Sequence, residues 1–370
     1  MTRLSIIGCG FVADLYMRSL ASYPDIKVVC VFDKDQARKD AFCAYWGLQA
    51  VASQEALFEQ TPDGSVILNL TNPKSHFSIN HACLEAGFNV YSEKPLAMKM
   101  DDAYRLHKLA QDRNLLLASA PCSVLGEAAQ TLGAAIRADV AGTPRLIYAE
   151  LDDGFISQAP YYKWVSESGA PWPYRDEFQV GCTLEHAGYY LSWLVAIFGS
   201  VKTVVAASAN VVADVNNAPD FSVATLFFEQ GVVARLTCSI VAPHDHQIRV
   251  IGDKGVLSIQ KAWDNSAKVM MRRRKVFRRR LLELPWAKRF KLKGPTHPKV
   301  GRWGAAEMNF ALGPVEMCAA LQEDRPCRLS SDFALHLNEV TLAIQNSGNH
   351  TGAQQMQTKC PPIEPMLWAK

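Results

Sequence analysis

The sequence predicts an α/β N-terminal domain built on a doubly wound parallel sheet, followed by an α+β C-terminal domain with a large, mostly antiparallel open sheet. Three observations carry this expectation. Over the first 120 residues apolar strands alternate with helical patterns, which is how parallel βαβ units read. From about Pro121 that alternation stops, and residues 200–260 read as consecutive strands (201–212, 220–228, 232–241, 246–251 and 255–260) with Gly231 and Gly255 at turns. The 370 residues suffice for two domains with ample core. The expected boundaries are 1–120 and 121–370, with a basic insert at 268–302.

The first strand begins almost at the N-terminus and runs through Leu4-Ser5-Ile6-Ile7 into Gly8-Cys9-Gly10-Phe11-Val12-Ala13. Gly8 permits a tight turn, and Gly10, without a Cβ, lets backbone approach a pyrophosphate. Ala13 occupies the third small position and allows close helix packing. The helix that follows offers free N–H groups and a partial positive charge to an anion. A second strand, Ile26–Phe32, ends at Asp33, 23 residues after Gly10. An acid there hydrogen-bonds an adenosine ribose and repels a 2′-phosphate, so NAD(H) is expected rather than NADP(H). A helix through Ala41 and Trp46 ends at Gly47. Pro62-Asp63-Gly64 is a turn, and Ser65–Leu70 is a buried strand that ends in Thr71-Asn72-Pro73-Lys74-Ser75-His76. The next strand, Phe88–Tyr91, ends in Ser92-Glu93-Lys94-Pro95, and helix 100–113 leads to Leu115–Ala120. These polar endings fall at strand C-termini, where open α/β sheets bind ligands.

The second half opens with helix 126–138 and strand 145–151. Residues 152–180 form a long loop rich in Pro, Tyr and Trp, including Pro171-Trp172-Pro173-Tyr174-Arg175-Asp176. Long ordered loops are commonly functional; aromatics with Arg and Asp suit sugar rings and hydroxyls, and a packed surface loop or an oligomer contact is the other reading. Gly181–Tyr190 then opens helix 183–198. Helices 304–323 and 331–347 close the second domain, with His336 and Glu339 on one turn, and the tail after Gly348 reads as an extended strap.

The net charge of +3 hides an asymmetry: residues 272–302 hold thirteen Lys/Arg against one acid, Glu283. With Phe277, Leu281, Leu282 and Trp286 interleaved, this segment reads as a solvated edge hairpin or a weak contact with anionic membrane through 272–293. Nothing resembling a nucleic-acid module accompanies it. The ten cysteines lack CxxC or Cys/His ligand spacing; no metal is expected, and reduced thiols point to the cytoplasm. No apolar run is long enough to span a bilayer. No signal peptide is expected, because the first strand starts within four residues of Met1.

On Gly8–Ala13, Asp33, Thr71-Asn72-Pro73…His76 and above all Glu93-Lys94-Pro95, the chain resembles the Gfo/Idh/MocA-type oxidoreductases. Ser119-Ala120-Pro121, Gly142-Thr143-Pro144, Val250–Gly255 and Ala334–Glu339 extend the resemblance over nearly the whole chain. It implies a Rossmann domain, an NAD cofactor held by Gly8, Gly10, Phe11, Val12, Asp33, Arg38, Thr71, Asn72, His76, Glu93 and Lys94, and a homodimer or homotetramer. It places Lys94 beside the nicotinamide and the reacting hydroxyl, and a cis bond before Pro95. The family commonly carries Asp and His four residues apart near Gly188; here those slots hold His186 and Tyr190, or Glu185 and Tyr189 if the alignment slides by one. The expected catalytic residues are Lys94, His186 and Tyr190, with Tyr190 made acidic by Lys94. The expected substrate contacts are Lys94, Trp172, Tyr174, Arg175, Glu185, His186 and Tyr190. The implied activity is hydride transfer between nicotinamide and a secondary hydroxyl or keto group of a sugar, nucleotide sugar or cyclitol. Transient oxidation by a retained NAD, serving epimerisation, elimination or glycoside cleavage, and a non-catalytic cofactor-binding regulator remain open alternatives.

Overall fold

The structure is a computed structural model and describes residues 2–212, 218–301, 307–350 and 352–370. Two sheets hold the strands among these residues. The first is parallel, with strands β1 (Thr2–Ile7), β2 (Ile26–Phe32), β3 (Val66–Asn69), β4 (Asn89–Ser92) and β5 (Leu117–Ser119) in the order β2-β1-β3-β4-β5. Helices α1 (Phe11–Leu20), α2 (Gln36–Trp46), α3 (Gln54–Gln60), α4 (His76–Glu85) and α5 (Met100–Asp112) connect them. Strands β3, β4 and β5 are fully buried along their length, as a sheet covered on both faces requires. The order reverses beside β1, so the crevice lies between the ends of β1 and β3. The α3 helix, with its Ser53 hydroxyl accepting from the Ala56 N–H, is an addition that the sequence reading did not assign.

The second sheet has eleven strands. Its longest is β6 (Pro144–Phe155), which pairs in parallel with β9 (Val233–Ser239) and antiparallel with β10 (Val241–Asp245) and β11 (Ile248–Gly252). Beyond β9 lie β8 (Phe221–Phe228) and β7 (Val201–Ala209); beyond β11 lie β12 (Gly255–Ile259), β13 (Val269–Phe277) and β14 (Arg280–Glu283). The short β15 (Lys288–Phe290) and β16 (Gln354–Gln355) pair with β13 and β7. Helices α6 (Glu127–Arg137), α7 (Tyr174–Val180), α8 (Gly188–Phe198), α9 (Leu312–Gln322) and α10 (Ser331–Gln345) complete the chain.

Three placements differ from the sequence reading. Residues 152–155 continue β6 instead of opening a loop. The start expected for the helix at 304 lies outside the described residues, and α9 begins only at Leu312. Both α9 and α10 reach back to the first sheet, α9 against β3, β4 and β5 and α10 against α5 and β5. They do not simply close the second domain: the chain returns to finish the first one, and one apolar cluster runs from Leu4 and Leu68 through Tyr91 to Val250 and Phe333.

The basic segment forms the β13–β14 hairpin at the sheet edge, and Val276, Phe277, Leu281 and Trp286 are all more than half exposed. The tail is a strap. It is held by Ser200 Oγ accepting from the Cys360 N–H at 2.9 Å, by Glu339 accepting from the Gln357 and Thr358 N–H groups, and by His336 against the Thr358 hydroxyl. Arg328 donates to the Pro365 carbonyl and, with Arg325, grips the buried Glu316 carboxylate. A buried acid stripped of its charge partners is costly, and removing the acid strands two guanidiniums. Glu316→Ala is therefore expected to lower stability by roughly 3–5 kcal/mol; thermal unfolding checks this, and a wild-type midpoint would show that the pair of arginines does not anchor the strap.

Candidate active site

The turn after β1 is built by backbone demands. Gly8 has φ +103°, and a Cβ there would stand 2.7 Å from the Leu70 carbonyl carbon, so only glycine fits between β1 and the end of β3. A Cβ on Gly10 would point into open space at the mouth of a cleft of about 1090 Å³. No side chain caps the N-terminus of α1, and Gly10, Phe11 and Val12 line that cleft, so the positive end of the helix dipole meets it. This is a cradle of the shape and polarity that a dinucleotide pyrophosphate fits.

Asp33 stands behind the cradle. Its two oxygens accept from the Cys9 N–H at 2.7 Å and the Asp35 N–H at 2.8 Å, which ties the end of β2 to the glycine turn. Each carboxylate oxygen keeps a further lone pair. Arg38 lines the cleft and pairs with Asp35 at 3.4 Å. His76 is fully buried and does not line the cleft; its ring bridges the Thr71 carbonyl (2.8 Å) and the Pro95 carbonyl (2.7 Å). It thus fixes the Thr71 loop against the Lys94–Pro95 bond, which is cis.

Lys94 leaves the end of β4 with its side chain 17% exposed, and its ammonium contacts the Glu185 carboxylate. Burial opposes the charge, but Glu185, Glu93 and Glu177 outweigh it and hold the Lys94 pKa above the ordinary lysine range. Glu93 is itself fixed, accepting from the Tyr16 hydroxyl at 2.7 Å and the Lys94 N–H at 3.0 Å.

The opposite wall comes from the second half. Residues Thr183–Ala187 make a π-helical turn before α8. From this turn and the start of α8, Glu185, His186 and, four residues after Glu185, Tyr189 line the cleft. Tyr190 does not. It is 1% exposed, packs beside Trp193 and leaves its hydroxyl buried without a hydrogen bond. Burial first, then Asp153, pushes its pKa well above that of free tyrosine. The expected acidic Tyr190 is thereby corrected: it lies behind the wall, where no phenolate is stabilised.

His186 Nε2 lies 2.6 Å from Glu177 Oε1, and Nδ1 lies 3.4 Å from Asp153 Oδ2. Burial opposes its charge, but Glu177 and Asp153 raise its pKa to about 9. The loop after β6 is ordered by edge-to-face and tilted ring contacts among Tyr161, Trp164, Trp172, Tyr174 and Phe178. It is clasped to the first domain: Asn72 donates to Asp176, Lys74 to Gln179 at 2.8 Å, and Ser168 to Asp14 at 2.7 Å.

Of the residues named from sequence, Gly10, Phe11, Val12, Arg38, Thr71, Asn72, Glu93, Lys94, Trp172, Tyr174, Arg175, Glu185 and His186 all line this one cleft. Gly8, Asp33 and His76 support it from behind. Tyr189, offered from sequence as the partner of Glu185 in the shifted alignment, also lines it, and the sequence reading missed Asp153, Glu177, His244 and Trp263, which do so too. The only available signal was His244-Asp245-His246, an alternation that carries no meaning until β10 is laid beside β6.

A Rossmann-type half, a glycine cradle and a half-buried lysine facing a second-domain acid define a dinucleotide-dependent oxidoreductase. The chain belongs to the Gfo/Idh/MocA family: residues 2–120 match the family model described as "Oxidoreductase family, NAD-binding Rossmann fold", and residues 129–258 match the GFO/IDH/MocA C-terminal domain. It is 26% identical over 279 residues to trans-1,2-dihydrobenzene-1,2-diol dehydrogenase of Mus musculus, covering 74% of this chain and 79% of that one. It is 27% identical over 148 residues to UDP-N-acetylglucosamine 3-dehydrogenase of Acidithiobacillus ferrooxidans, covering 40% of this chain and 44% of the relative. Among solved structures, KijD10, a 3-ketoreductase from Actinomadura kijaniata in complex with TDP-benzene and NADP, superposes with a TM-score of 0.71 at 20% identity, covering 93% of this chain and 96% of that one. The relatives are thus dehydrogenases and reductases.

Gly8→Ala is expected to weaken NADH binding at least about tenfold, or roughly 1.4 kcal/mol, and to lower the thermal midpoint. A fluorescence titration checks this; wild-type affinity would mean that the turn does not set the cradle.

Proposed function

We propose that the protein transfers hydride between NAD(H) and a secondary carbinol or the matching ketone of a carbohydrate-like substrate, such as a sugar or nucleotide sugar. The observation that carries this reading is the Lys94–Glu185 contact at the floor of a cleft that also holds the glycine cradle. The bound nicotinamide supplies the hydride chemistry; the chain supplies geometry and proton handling. Lys94 holds and polarises the substrate oxygen, stabilising developing alkoxide charge. In reduction the Lys94 ammonium gives a proton to the forming alkoxide; in oxidation Lys94 passes a proton to the Glu185 carboxylate as it takes the proton of the hydroxyl. Glu177 orients His186, whose ring faces the same space. Trp172 and Tyr174 offer faces for a sugar ring, and Arg175 and Asn72 offer donors for its hydroxyls.

NAD(H) preference is supported by Asp33, whose charge at the end of β2 disfavours a 2′-phosphate. We further propose a homodimer or homotetramer, a cytoplasmic location and a domain boundary near residue 120. Weak anionic membrane contact through 272–293 is supported by the apolar side chains that stand out of the basic hairpin. No helix among the described residues is long and apolar enough to cross a membrane.

A panel of sugars, keto sugars and nucleotide sugars, followed by nicotinamide absorbance, tests the reading; no turnover on the panel together with no NADH or NADPH binding would overturn it. With an active substrate, Lys94→Ala is expected to lower kcat by about 10²- to 10⁴-fold while NADH binding persists. Tyr190→Phe is expected to leave kcat within about twofold of wild type, because its hydroxyl touches nothing that reacts. A large loss in Tyr190→Phe would return the tyrosine to the mechanism. Asp33→Ser is expected to shift the NADP(H)-to-NAD(H) affinity ratio by about tenfold or more toward NADP(H); an unchanged ratio would show that Arg38, not Asp33, governs the choice.

A further inference from the structure

On the second-domain wall of the cleft, Asp153 is ringed by imidazoles. It sits near the end of β6, and β10 pairs alongside with a register shift between Ala242 and Asp245. A bulge of that kind re-aims side chains. Here His244, at the bulge, and His246, just past it, converge on one carboxylate oxygen: His244 Nδ1 lies 3.4 Å and His246 Nε2 lies 3.3 Å from Asp153 Oδ1. The three ligand-type atoms lie within 4.8 Å of one another.

The arrangement suits an ion better than it suits hydrogen bonds. His246 Nε2 is buried and makes no aligned hydrogen bond despite its closeness to Asp153. Metal–ligand bonds of about 2.1 Å place neighbouring ligand atoms roughly 3.0–3.4 Å apart, and both imidazole–carboxylate spacings, 3.4 Å and 3.3 Å, fall in that range. The supports are also in place. Asp153 Oδ2 lies 3.4 Å from His186 Nδ1, and His186 is held in turn by Glu177, so Oδ1 is the carboxylate oxygen turned to both His244 and His246. The His246 ring lies against Trp263 at 5.3 Å and 19°. Gly154, at φ +80°, leaves room for the His244 ring, since a Cβ there would stand 2.9 Å from Nε2. Asp153, His244 and Trp263 all line the cleft, so an ion bound by three residues would keep open positions toward the substrate space.

We propose that Asp153, His244 and His246 form a binding site for a divalent first-row transition ion such as Zn(II) or Mn(II), open to the cleft opposite the glycine cradle. Two imidazoles and one carboxylate form a facial set with borderline-soft donors that suit such ions over Mg(II) or Ca(II). Resting on the hydride-transfer reading, the ion would coordinate hydroxyl or carboxylate oxygens of the substrate and orient its carbinol carbon. The ion-binding claim itself does not depend on that reading.

The test is titration of chelator-treated, desalted full-length protein with Co(II), followed by its visible d–d absorption, and with Zn(II) by calorimetry. We expect one ion per chain. Binding should weaken by at least about tenfold in His244→Ala, whose side chain is mostly exposed and whose loss leaves the fold intact, and in His246→Gln. Lys94→Ala should bind Co(II) as wild type does. NADH fluorescence, measured on every variant, reports the cleft separately. Absence of stoichiometric Co(II) and Zn(II) binding by a wild-type protein that binds NADH would overturn the metal site and leave the hydride-transfer reading standing. Unchanged binding in His244→Ala and His246→Gln would overturn it as well. Metal binding without NADH binding would support the site and count against the oxidoreductase reading.

Discussion

The ammonium of Lys94 is the constraint around which the cleft is arranged. A cation mostly withdrawn from water loses hydration worth several kcal/mol, and only close, well-placed acids offset that loss. The first domain supplies Glu93, already committed to the Tyr16 hydroxyl and the Lys94 N–H. The second supplies Glu185 in direct contact and Glu177 further out. The charge balance of the lysine therefore joins the two halves of the chain, and the clasp of Asn72, Lys74 and Asp14 onto the aromatic loop fixes the spacing at which they meet.

The π-helical turn at Thr183–Ala187 decides which second-domain residues take part. An undisturbed α-helix would present positions four apart on a single stripe. Here that stripe carries Glu185 and Tyr189, the π turn sets His186 beside them at the cleft, and Tyr190 falls in the apolar core beside Trp193. Such turns concentrate at functional sites in general. Here the consequence is chemical: a carboxylate, not a phenol, faces the lysine.

This also explains which parts of the molecule were legible in the sequence. The first domain was, because its determinants are local: a strand running into Gly8 and Gly10, an acid at the end of β2, and Lys94-Pro95 where β4 stops. Even there, His76 and Asp33 turned out to brace the loops from behind, since sequence proximity to a binding loop does not say which way a ring or carboxylate is spent. The second half resisted for physical reasons. The wall that matters is assembled from β6, β10 and the π turn, whose residues 153, 186 and 244 meet only through sheet register. The sequence reading ended that strand at 151 and left Asp153 in the loop; only the continuation of β6 and its pairing with the bulged β10 give Asp153 its partners. The helix expected at 183–198 was real, and of the two phases left open the one with Glu185 and Tyr189 is the pair at the cleft; the π turn that precedes α8 leaves no compositional trace.

The proposed reaction requires that the oxygen-bearing carbon of a substrate be held between the nicotinamide and Lys94. The most direct measurement is transfer of label from reduced nicotinamide deuterated at C4 to a keto sugar identified as a ligand, read by NMR of the product. The account predicts deuterium on the carbinol carbon with wild-type protein, and its loss in Lys94→Ala despite retained cofactor binding. Label transfer that proceeds equally without Lys94, or a wild-type protein that binds both cofactor and sugar yet transfers no label, would contradict it.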